Sequence, residues 1–328
     1  MQNTDRALLR ILRDLAAQRG IRIHAIGDGW ILQLSRGKTV RHIYGYAFDL
    51  NAAATHQIAC DKAATSEVLK ARGLSQIPHR LFLHPSMARF VQHKGNWAEM
   101  LAYCEAAAWD VVVKENTGTG GRGVLRVRNP VELEQAVYAL FARTNSIALS
   151  PYCEARTECR FIVLGGRCEL AFSKVRPTVT GDGRSTALEL LARRITTGGL
   201  TGDIRRLVEN LEEDAAHALA AVPPEGTEFL LNWRHNLGQG AVGTPIDPAT
   251  QPEVTRLALA AAAALNLEFG SVDILLTGDG PRVLEINAGV MMEFVIRGLP
   301  DGETTARRIY AAALDRMFVE NEEVARDG

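Results

Sequence analysis

The sequence has no apolar run long enough to cross a membrane and no C-x-x-C pair among its cysteines. The five cysteines are Cys60, Cys104, Cys153, Cys159 and Cys168. An odd number of cysteines without metal-binding spacing is typical of a reduced chain, so we expect a cytoplasmic protein. The N-terminal stretch is a charged amphipathic pattern, which we do not expect to be a signal peptide.

The chain also lacks a dominant charge, an internal repeat, a low-complexity tract and a clear linker. It has 37 Lys and Arg residues against 38 Asp and Glu residues, for a net charge of −1. Such a balance argues against a nucleic-acid-binding or membrane-binding surface that depends on bulk charge. With 328 residues, of which 47% are hydrophobic, the chain is long enough for two domains or one elaborate domain.

The first region, residues 1–58, combines a helix with short strands. Apolar residues at helical spacing predict a helix over Asp5–Gln18. The segments Ile21–Ile26 and Trp30–Leu34 flank a Gly-Asp-Gly turn and predict a hairpin, and His42–Phe48 predicts a third strand. This region is too small to bind a nucleotide alone, so we expect it to pack on the rest of the chain or on another subunit.

Residues 59–328 alternate helices with hairpins, which predicts an α+β fold and not a purely parallel sheet. A helix is predicted over Asp61–Leu74, ended by Gly73. The insertion 176–226 interrupts this pattern and includes a predicted charged helix, Arg205–Ala221. A long excursion between core strands is typical of a lid or of a substrate-facing insertion.

A second hairpin, over residues 272–287, carries the strongest chemical pattern. Asp273 lies on its first strand, and Glu285 and Asn287 lie on its second, where alternation places both on the same face. Two carboxylates and an amide are hard oxygen ligands of the kind that Mg²⁺ prefers. The alternative is an ordinary hairpin with incidental acidic residues.

A glycine-rich loop follows the predicted strand Val111–Val113 and its terminal Lys114. Its glycines allow backbone N–H groups to approach an anion, and Lys114 supplies positive charge for a phosphate. The order of residues is neither that of a Walker A loop nor that of a Rossmann turn, because the lysine precedes the glycines and a strand follows them. Taken alone, a flexible hairpin loop explains this segment equally well.

Three further segments carry candidate polar groups. Lys62, behind the helix cap Asp61, either reaches a phosphate or is solvated surface. Glu158 either accepts hydrogen bonds from ribose hydroxyls or is a surface acid. Arg234 precedes a Gly-x-Gly turn, where a guanidinium can stabilise phosphoryl charge. His235 is a weaker candidate for a general base, because its neighbours face the other way.

Taken in order, these segments resemble the ATP-grasp superfamily of ligases over about residues 60–300. The resemblance rests on D-K, on V-V-V-K with its glycine loop, on the hinge before Glu158, on R-x-N-L-x-x-G and on VDILLTGDGPRVLEIN. Within the superfamily, KVRP, TGDGRST and RHNLGQG resemble the ATP-grasp modules of cyanophycin synthetases and bifunctional glutathione synthetases. The resemblance implies two α+β subdomains, 59–148 and 149–328, that clamp ATP between them.

The resemblance also implies a nucleotide site. Gly118–Gly123 would form a mobile loop over the phosphates, Pro151–Cys153 the adenine hinge, and Glu158 the ribose acceptor. The implied nucleotide-binding residues are Lys62, Lys114, Gly118, Thr119, Gly120, Gly121, Gly123, Pro151, Tyr152, Cys153 and Glu158.

The metal and catalytic residues are implied in the same way. The implied metal ligands are Asp273, Glu285 and Asn287. They would hold Mg²⁺, with two ions expected and Mn²⁺ as a possible substitute. Arg234 would stabilise an acyl phosphate, together with Lys114 and Asn236. Lys174 and Arg176, expected at the exit of the predicted strand Cys168–Ser173, either bind a substrate carboxylate or form a basic surface turn.

The function implied is ATP-dependent ligation of a carboxylate to an amine through an acyl phosphate, with amino acids or peptides as substrates. An ATP-grasp kinase and a non-catalytic nucleotide-binding protein are the alternatives. We expect no nucleic-acid or membrane partner, and we expect a homo-oligomer, with a dimer favoured.

Overall fold

The computed structural model describes residues 6–87, 90–91, 97–121, 123–176, 178–196, 219–231, 233–235, 237 and 241–319. Within these ranges the helices are α1 (Ala7–Gln18), α2 (Ala53–Cys60), α3 (Lys62–Ala71), α4 (Trp97–Ala106), α5 (Pro130–Phe141), α6 (Ala187–Thr196), α7 (Pro252–Ala264), α8 (Glu293–Gly298) and α9 (Gly302–Met317). The strands are β1 (Arg22–Ile26), β2 (Ile31–Arg36), β3 (Thr39–Tyr44), β4 (Ala47–Phe48), β5 (Arg80–Leu83), β6 (Val111–Glu115), β7 (Val124–Val127), β8 (Ser146–Pro151), β9 (Ala155–Leu164), β10 (Arg167–Val175), β11 (Thr178–Thr180), β12 (Glu228–Leu230), β13 (Val242–Ile246), β14 (Phe269–Thr277) and β15 (Gly280–Asn287).

The N-terminal sheet has the order β1-β2-β3-β4, with antiparallel neighbours. The predicted helix and hairpin are confirmed. The third predicted strand is divided by a turn at Gly45, which has a φ of +60°. This region packs on the rest of the chain, since the Phe48 ring lies 5.0 Å from that of Phe269 and 5.9 Å from that of Tyr310. The placement of a domain boundary at residue 58 stays a prediction.

A four-stranded sheet of order β5-β8-β6-β7 carries α4 and α5 against its buried face. The helix α5 begins where the sequence supplies a capping box. The Asn129 side chain accepts a hydrogen bond from the backbone N–H of Glu132 and donates one to its carboxylate. Pro130 occupies the first turn, where no backbone N–H donor is needed. These local signals fix the helix that supports the strand carrying Lys114.

The largest sheet has the order β13-β10-β9-β14-β15, and all of its neighbouring strands are antiparallel. The helices α2, α3 and α7 pack on one face of this sheet. The core between them includes Ala258 of α7 and Phe161 and Ile274 of the strands. The helices α8, α9 and α1 form the core that includes Ile162 and Phe269. The predicted metal-binding hairpin is therefore the β14–β15 edge of a fully packed sheet.

Several predicted boundaries were wrong. The helix α2 was missed, and β9 begins at Ala155, so the loop that precedes it spans only residues 152–154. The strand β10 continues to Val175, which places Lys174 inside the strand and not at its exit. Most of the predicted helix Arg205–Ala221 lies outside the described residues.

The insertion contributes a small unit of its own. The strands β11 and β12 pair antiparallel, and α6 packs against them around Val179, Leu191 and Leu231. Of the helices in the described part of the chain, none is both long and apolar enough to span a membrane.

The buried hydroxyl of Tyr310 ties the loop after β15 to α9. It accepts a hydrogen bond from the backbone N–H of Met292 (3.2 Å) and donates one to the carbonyl of Val290 (2.9 Å). Tyr310→Phe leaves both backbone groups without that partner, so we expect a loss of about 1–3 kcal/mol in the free energy of unfolding. Urea denaturation measures this loss. Tyr138→Phe is the matched control, because Tyr138 is 81% exposed. Equal midpoints for the two variants would contradict the assignment.

Candidate active site

A cavity of about 720 Å³ opens between the four-stranded sheet, the five-stranded sheet and the N-terminal sheet. It is lined by the predicted residues Lys62, Lys114, Gly118, Thr119, Gly120, Gly121, Pro151, Tyr152, Cys153, Glu158, Lys174, Arg234, Glu285 and Asn287. Gly123, Arg176 and Asp273 are described residues that lie outside this lining. Asn236, a predicted catalytic residue, is outside the described part of the chain. Most of the predicted site is thus brought together.

The glycine-rich loop joins β6 to β7 and is held by Lys62. The Lys62 ammonium donates to the carbonyl of Gly118 (2.6 Å), and the backbone N–H of Ala63 donates to the Asn116 side chain (3.1 Å). Gly120 and Gly121 have a φ of +72°, a conformation that favours glycine. Because Lys62 contacts the loop and lines the cavity, the solvated-surface alternative does not describe it.

Lys114, at the end of β6 that leads into the loop, is buried at 6% exposure. Burial lowers the pKa of Lys114 to about 8, although the charge of Glu285 opposes this shift. The positive charge of Lys62 lowers the pKa further. The ammonium of Lys114 is poorly solvated and lies beside a second cation. An anionic ligand would therefore strongly stabilise its charged form.

The short hinge between β8 and β9 is fixed by stacked side chains. The backbone N–H of Tyr152 donates to the Asp110 carbonyl (2.8 Å). The Arg126 guanidinium lies 3.3 Å from the centroid of the Tyr152 ring and forms a bidentate pair with the Asp110 carboxylate. The Trp233 ring packs edge-on to Tyr152 at 5.7 Å. These contacts hold the Tyr152 and Trp233 rings in place, and both rings line the cavity.

Four charged side chains form a network on the floor of the cavity, of which three are buried and the fourth, Arg160, is partly exposed. Both Asp273 oxygens accept hydrogen bonds from Arg160, at 2.7 and 2.5 Å, and Lys174 contacts Asp273 at 3.3 Å. Lys174 also forms an ion pair with Glu158. Burial would raise the pKa of Asp273, but the charges of Arg160 and Lys174 lower it to about 2. Burial raises the pKa of Glu158 to about 7, against the opposing charge of Lys174.

This network revises what was expected of three residues. Lys174 is a buried ion-pair partner, so the basic-surface alternative is wrong for it. Arg176 pairs with Glu154 at 2.7 Å, away from the cavity lining. Glu158 is bound to Lys174, so its expected role toward a ribose stays a prediction.

The β14–β15 register places Asp273 opposite Glu285 and Ser271 opposite Asn287. The Asn287 amide lies 3.4 Å from a Glu285 oxygen, and both side chains line the cavity. Their oxygens suit a divalent cation. Asp273, at 1% exposure, is held behind them by two cations. The donor set therefore fits a metal held by Glu285 and Asn287, with Asp273 committed to the network.

The segment around Arg234 closes the cavity over the glycine-rich loop. The Arg234 guanidinium donates to the Val124 carbonyl at 2.5 Å and lies 4.8 Å from the Trp233 ring centroid. It is thereby fixed beside the strand that follows the loop. His235 also lines the cavity.

Arg160 and Asn116 are among the cavity-region residues that the sequence reasoning missed. Arg160 is two residues beyond Glu158 on β9, so strand alternation would have placed it on the same face. Asn116 directly follows β6 and is buried at the junction of the loop with α3. No sequence pattern connects Asn116 with the N-terminus of α3.

Comparison with known proteins agrees with this architecture. Residues 198–299 match the family described as the RimK-like ATP-grasp domain. A cyanophycin synthetase of Nostoc sp. is 27% identical over 322 residues, which cover 92% of this chain and 34% of the relative. A glutathione biosynthesis bifunctional protein of Streptococcus agalactiae is 26% identical over 178 residues, covering 51% of this chain and 24% of the relative. The chain spans about a third or less of the length of these relatives.

Two solved structures share the fold. A bifunctional glutathione synthetase from Pasteurella multocida superimposes with a TM-score of 0.56 at 18% identity, over 95% of this chain and 44% of the other. A D-alanine–D-alanine ligase from Bacillus anthracis gives 0.52 at 16% identity, over 81% and 68%. The predicted α+β ATP-grasp fold is confirmed by these neighbours. The chain therefore has the ATP-grasp fold, and its residues 198–299 match the RimK-like ATP-grasp domain.

Proposed function

We propose that the protein is an ATP-dependent ligase that joins a carboxylate to an amine. The observation that carries this proposal is the single cavity in which two lysines, a glycine-rich loop, Arg234 and the pair Glu285–Asn287 meet. The similar proteins are named synthetases and ligases, which supports the same class. The substrates are proposed to be amino acids or peptides.

The reaction proposed has two steps. A substrate carboxylate oxygen attacks the γ-phosphorus of ATP, which forms an acyl phosphate and releases ADP. The amine then attacks the acyl carbon, which forms the amide and releases phosphate, while one amine proton passes to solvent. Neither step needs a covalent bond to the protein, so the protein acts by positioning and by charge stabilisation.

The side chains divide this work. Lys114 and Lys62 are proposed to bind phosphate oxygens, since both are cations beside the glycine-rich loop. Arg234, fixed by the Val124 carbonyl, is proposed to stabilise the acyl phosphate. Tyr152 and Cys153 are proposed to border the adenine. A divalent cation, which we propose to be Mg²⁺ bound by Glu285 and Asn287, would supply charge neutralisation for the phosphates.

For location and assembly we propose the cytoplasm and a homodimer. All five cysteines are free thiols, which supports a reducing compartment. No nucleic-acid or membrane partner is proposed.

The ligase proposal predicts that ADP release depends on two substrates. With pairs drawn from a panel of amino acids and small carboxylates, coupled-enzyme detection of ADP should show turnover only when a carboxylate and an amine are both present. Mass spectrometry should then find an amide product. A stable phosphorylated product without an amide would indicate a kinase instead. Nucleotide binding without turnover in any pair would indicate a non-catalytic protein.

If Glu285 and Asn287 bind the metal, removal of the Glu285 charge should strongly lower turnover. Glu285→Gln keeps the shape of the side chain and removes its charge, so we expect turnover to fall by about 100-fold or more. Glu134→Gln, on the exposed side of α5, is the control and should keep normal turnover. Thermal unfolding of both variants checks that the fold survives. Near-normal turnover of Glu285→Gln would refute the proposed metal ligand.

The lowered pKa of Lys114 predicts proton uptake on nucleotide binding. A phosphate raises this pKa above its value of about 8 in the free protein, so the complex holds more protons than the free protein at pH 8. We expect uptake of up to about half a proton per MgADP at pH 8 and almost none at pH 6, where the lysine is charged in both states. Calorimetry in two buffers of different ionisation enthalpy measures the uptake. Lys70→Met, on the exposed side of α3, should keep it. Equal uptake at pH 6 and pH 8 would contradict the contact between Lys114 and phosphate.

A further inference from the structure

One side of the cavity is a surface of large uncharged side chains that the proposed chemistry does not use. We call this surface the aromatic wall, and it consists of Trp30, Tyr44, Tyr46, Met291 and Phe294. Trp30 is 47% exposed and Tyr44 is 64% exposed, although both lie on ordered strands or turns. Exposed apolar area that lines a cavity gains free energy when a ligand of matching character covers it.

The wall has a defined shape. The Trp30 ring lies 6.2 Å from the Tyr44 ring and 6.5 Å from the Tyr46 ring, and both pairs are nearly perpendicular. A Cβ atom at Gly45 would lie 2.9 Å from the Trp30 ring, so glycine there lets the ring lie directly on the backbone. The rings are therefore held by a rigid turn and form a preorganised corner.

The wall adjoins the centre at which the proposed reaction takes place. The backbone N–H of Val290 donates to the Tyr46 carbonyl at 3.2 Å, and Gly289 lies against Tyr46. Gly289 and Val290 lie two and three positions after Asn287, which is one of the two proposed metal ligands. A substrate that reaches the proposed metal ligands from the side of the N-terminal sheet therefore contacts the aromatic wall.

Within the described residues, the charges in contact with the rings of the wall are one of each sign, so these contacts offer no net charge to a guest. The Arg6 guanidinium lies 5.0 Å from the Trp30 centroid and 5.3 Å from the Tyr46 centroid, so it repels a further cation. Arg6 also donates to the carbonyls of Gly45 and Gly29, which uses donors that would otherwise bind an anion. The Glu293 carboxylate accepts a hydrogen bond from the Tyr46 hydroxyl at 2.6 Å, which places a negative charge beside that ring.

From this geometry we infer that the aromatic wall binds the large uncharged apolar side chain of an amino-acid or peptide substrate. The inference rests on the proposed ligase function and adds the class of side chain that the site selects. Arginine, lysine, aspartate and glutamate side chains are disfavoured at this position, because a charge placed against uncharged rings loses its water and meets one like charge, that of Arg6 or of Glu293.

The test measures binding and turnover separately. The full chain with saturating MgADP is titrated by calorimetry with phenylalanine, leucine, glycine, arginine and aspartate in turn. We expect phenylalanine and leucine to bind at least about tenfold more tightly than arginine or aspartate. The same five amino acids are then supplied as either substrate in the ADP-release assay, where we expect the same order in kcat/KM.

The variant Tyr44→Ser removes the most exposed ring of the wall. It should weaken phenylalanine binding about fivefold to tenfold while the affinity for MgADP stays unchanged. Tyr138→Ser is the matched control, because Tyr138 is also an exposed tyrosine, at 81% against 64% for Tyr44, and lies outside the cavity. Trp30→Phe keeps an aromatic ring on Gly45 and should have a smaller effect than Tyr44→Ser.

The outcomes separate this inference from the proposed function. Tighter binding or faster turnover of arginine or aspartate would overturn the inference and leave the ligase proposal standing. Binding of none of the five amino acids, or equal effects of Tyr44→Ser and Tyr138→Ser, would also overturn it. Selective binding of phenylalanine that Tyr44→Ser weakens, without ADP release in any pair, would support the wall and refute the ligase proposal.

Discussion

The pairing of two buried carboxylates with the buried Lys174 and the partly exposed Arg160 determines the charge on the floor of the cavity. Removing an ion from water costs several kcal/mol unless a partner of opposite charge compensates, and loss of one partner leaves the other uncompensated. Asp273 and Glu158 are committed to Arg160 and Lys174 in this way. The floor of the cavity is thus internally neutral. Lys114, outside that network, retains positive charge in a poorly solvated position, which an anionic ligand would complement.

The second constraint is the way the cavity is assembled. Its walls come from three sheets. The N-terminal sheet and the five-stranded sheet share one hydrophobic core, whereas the four-stranded sheet has its own core and is joined to the rest by hydrogen bonds between backbone and side chain. Lys62 and Asn116 join α3 to the glycine-rich loop, and Arg234 joins the segment after β12 to β7. Each of these contacts links residues more than 50 positions apart. These contacts fix the position of the glycine-rich loop relative to α3 and to the segment after β12.

Local patterns predicted much of this structure. The β14–β15 hairpin, the loop after Lys114 and the capped helix behind Asp61 follow from turn residues, alternation and capping, which act over a few positions. The Arg160–Asp273 contact joins residues 113 positions apart, and only the pairing of β9 with β14 brings them together. The sequence therefore predicted Asp273 as a metal ligand without showing that two cations would occupy its oxygens. The predicted N-terminal hairpin likewise carried no sign that its rings would line the cavity.

Arg6 has a consequence for how the protein is handled in the laboratory. Its guanidinium rests on Trp30 and Tyr46 and bonds to two turns of the N-terminal sheet, while its own residue directly precedes α1. An affinity tag fused close to this residue, or a trimmed N-terminus that removes it, would disturb the support of two cavity rings and leave the nucleotide side intact. On the proposed function, material prepared in that way would keep the proposed nucleotide-binding residues and lose support for the aromatic wall, so its amino-acid preference would differ from that of the full chain.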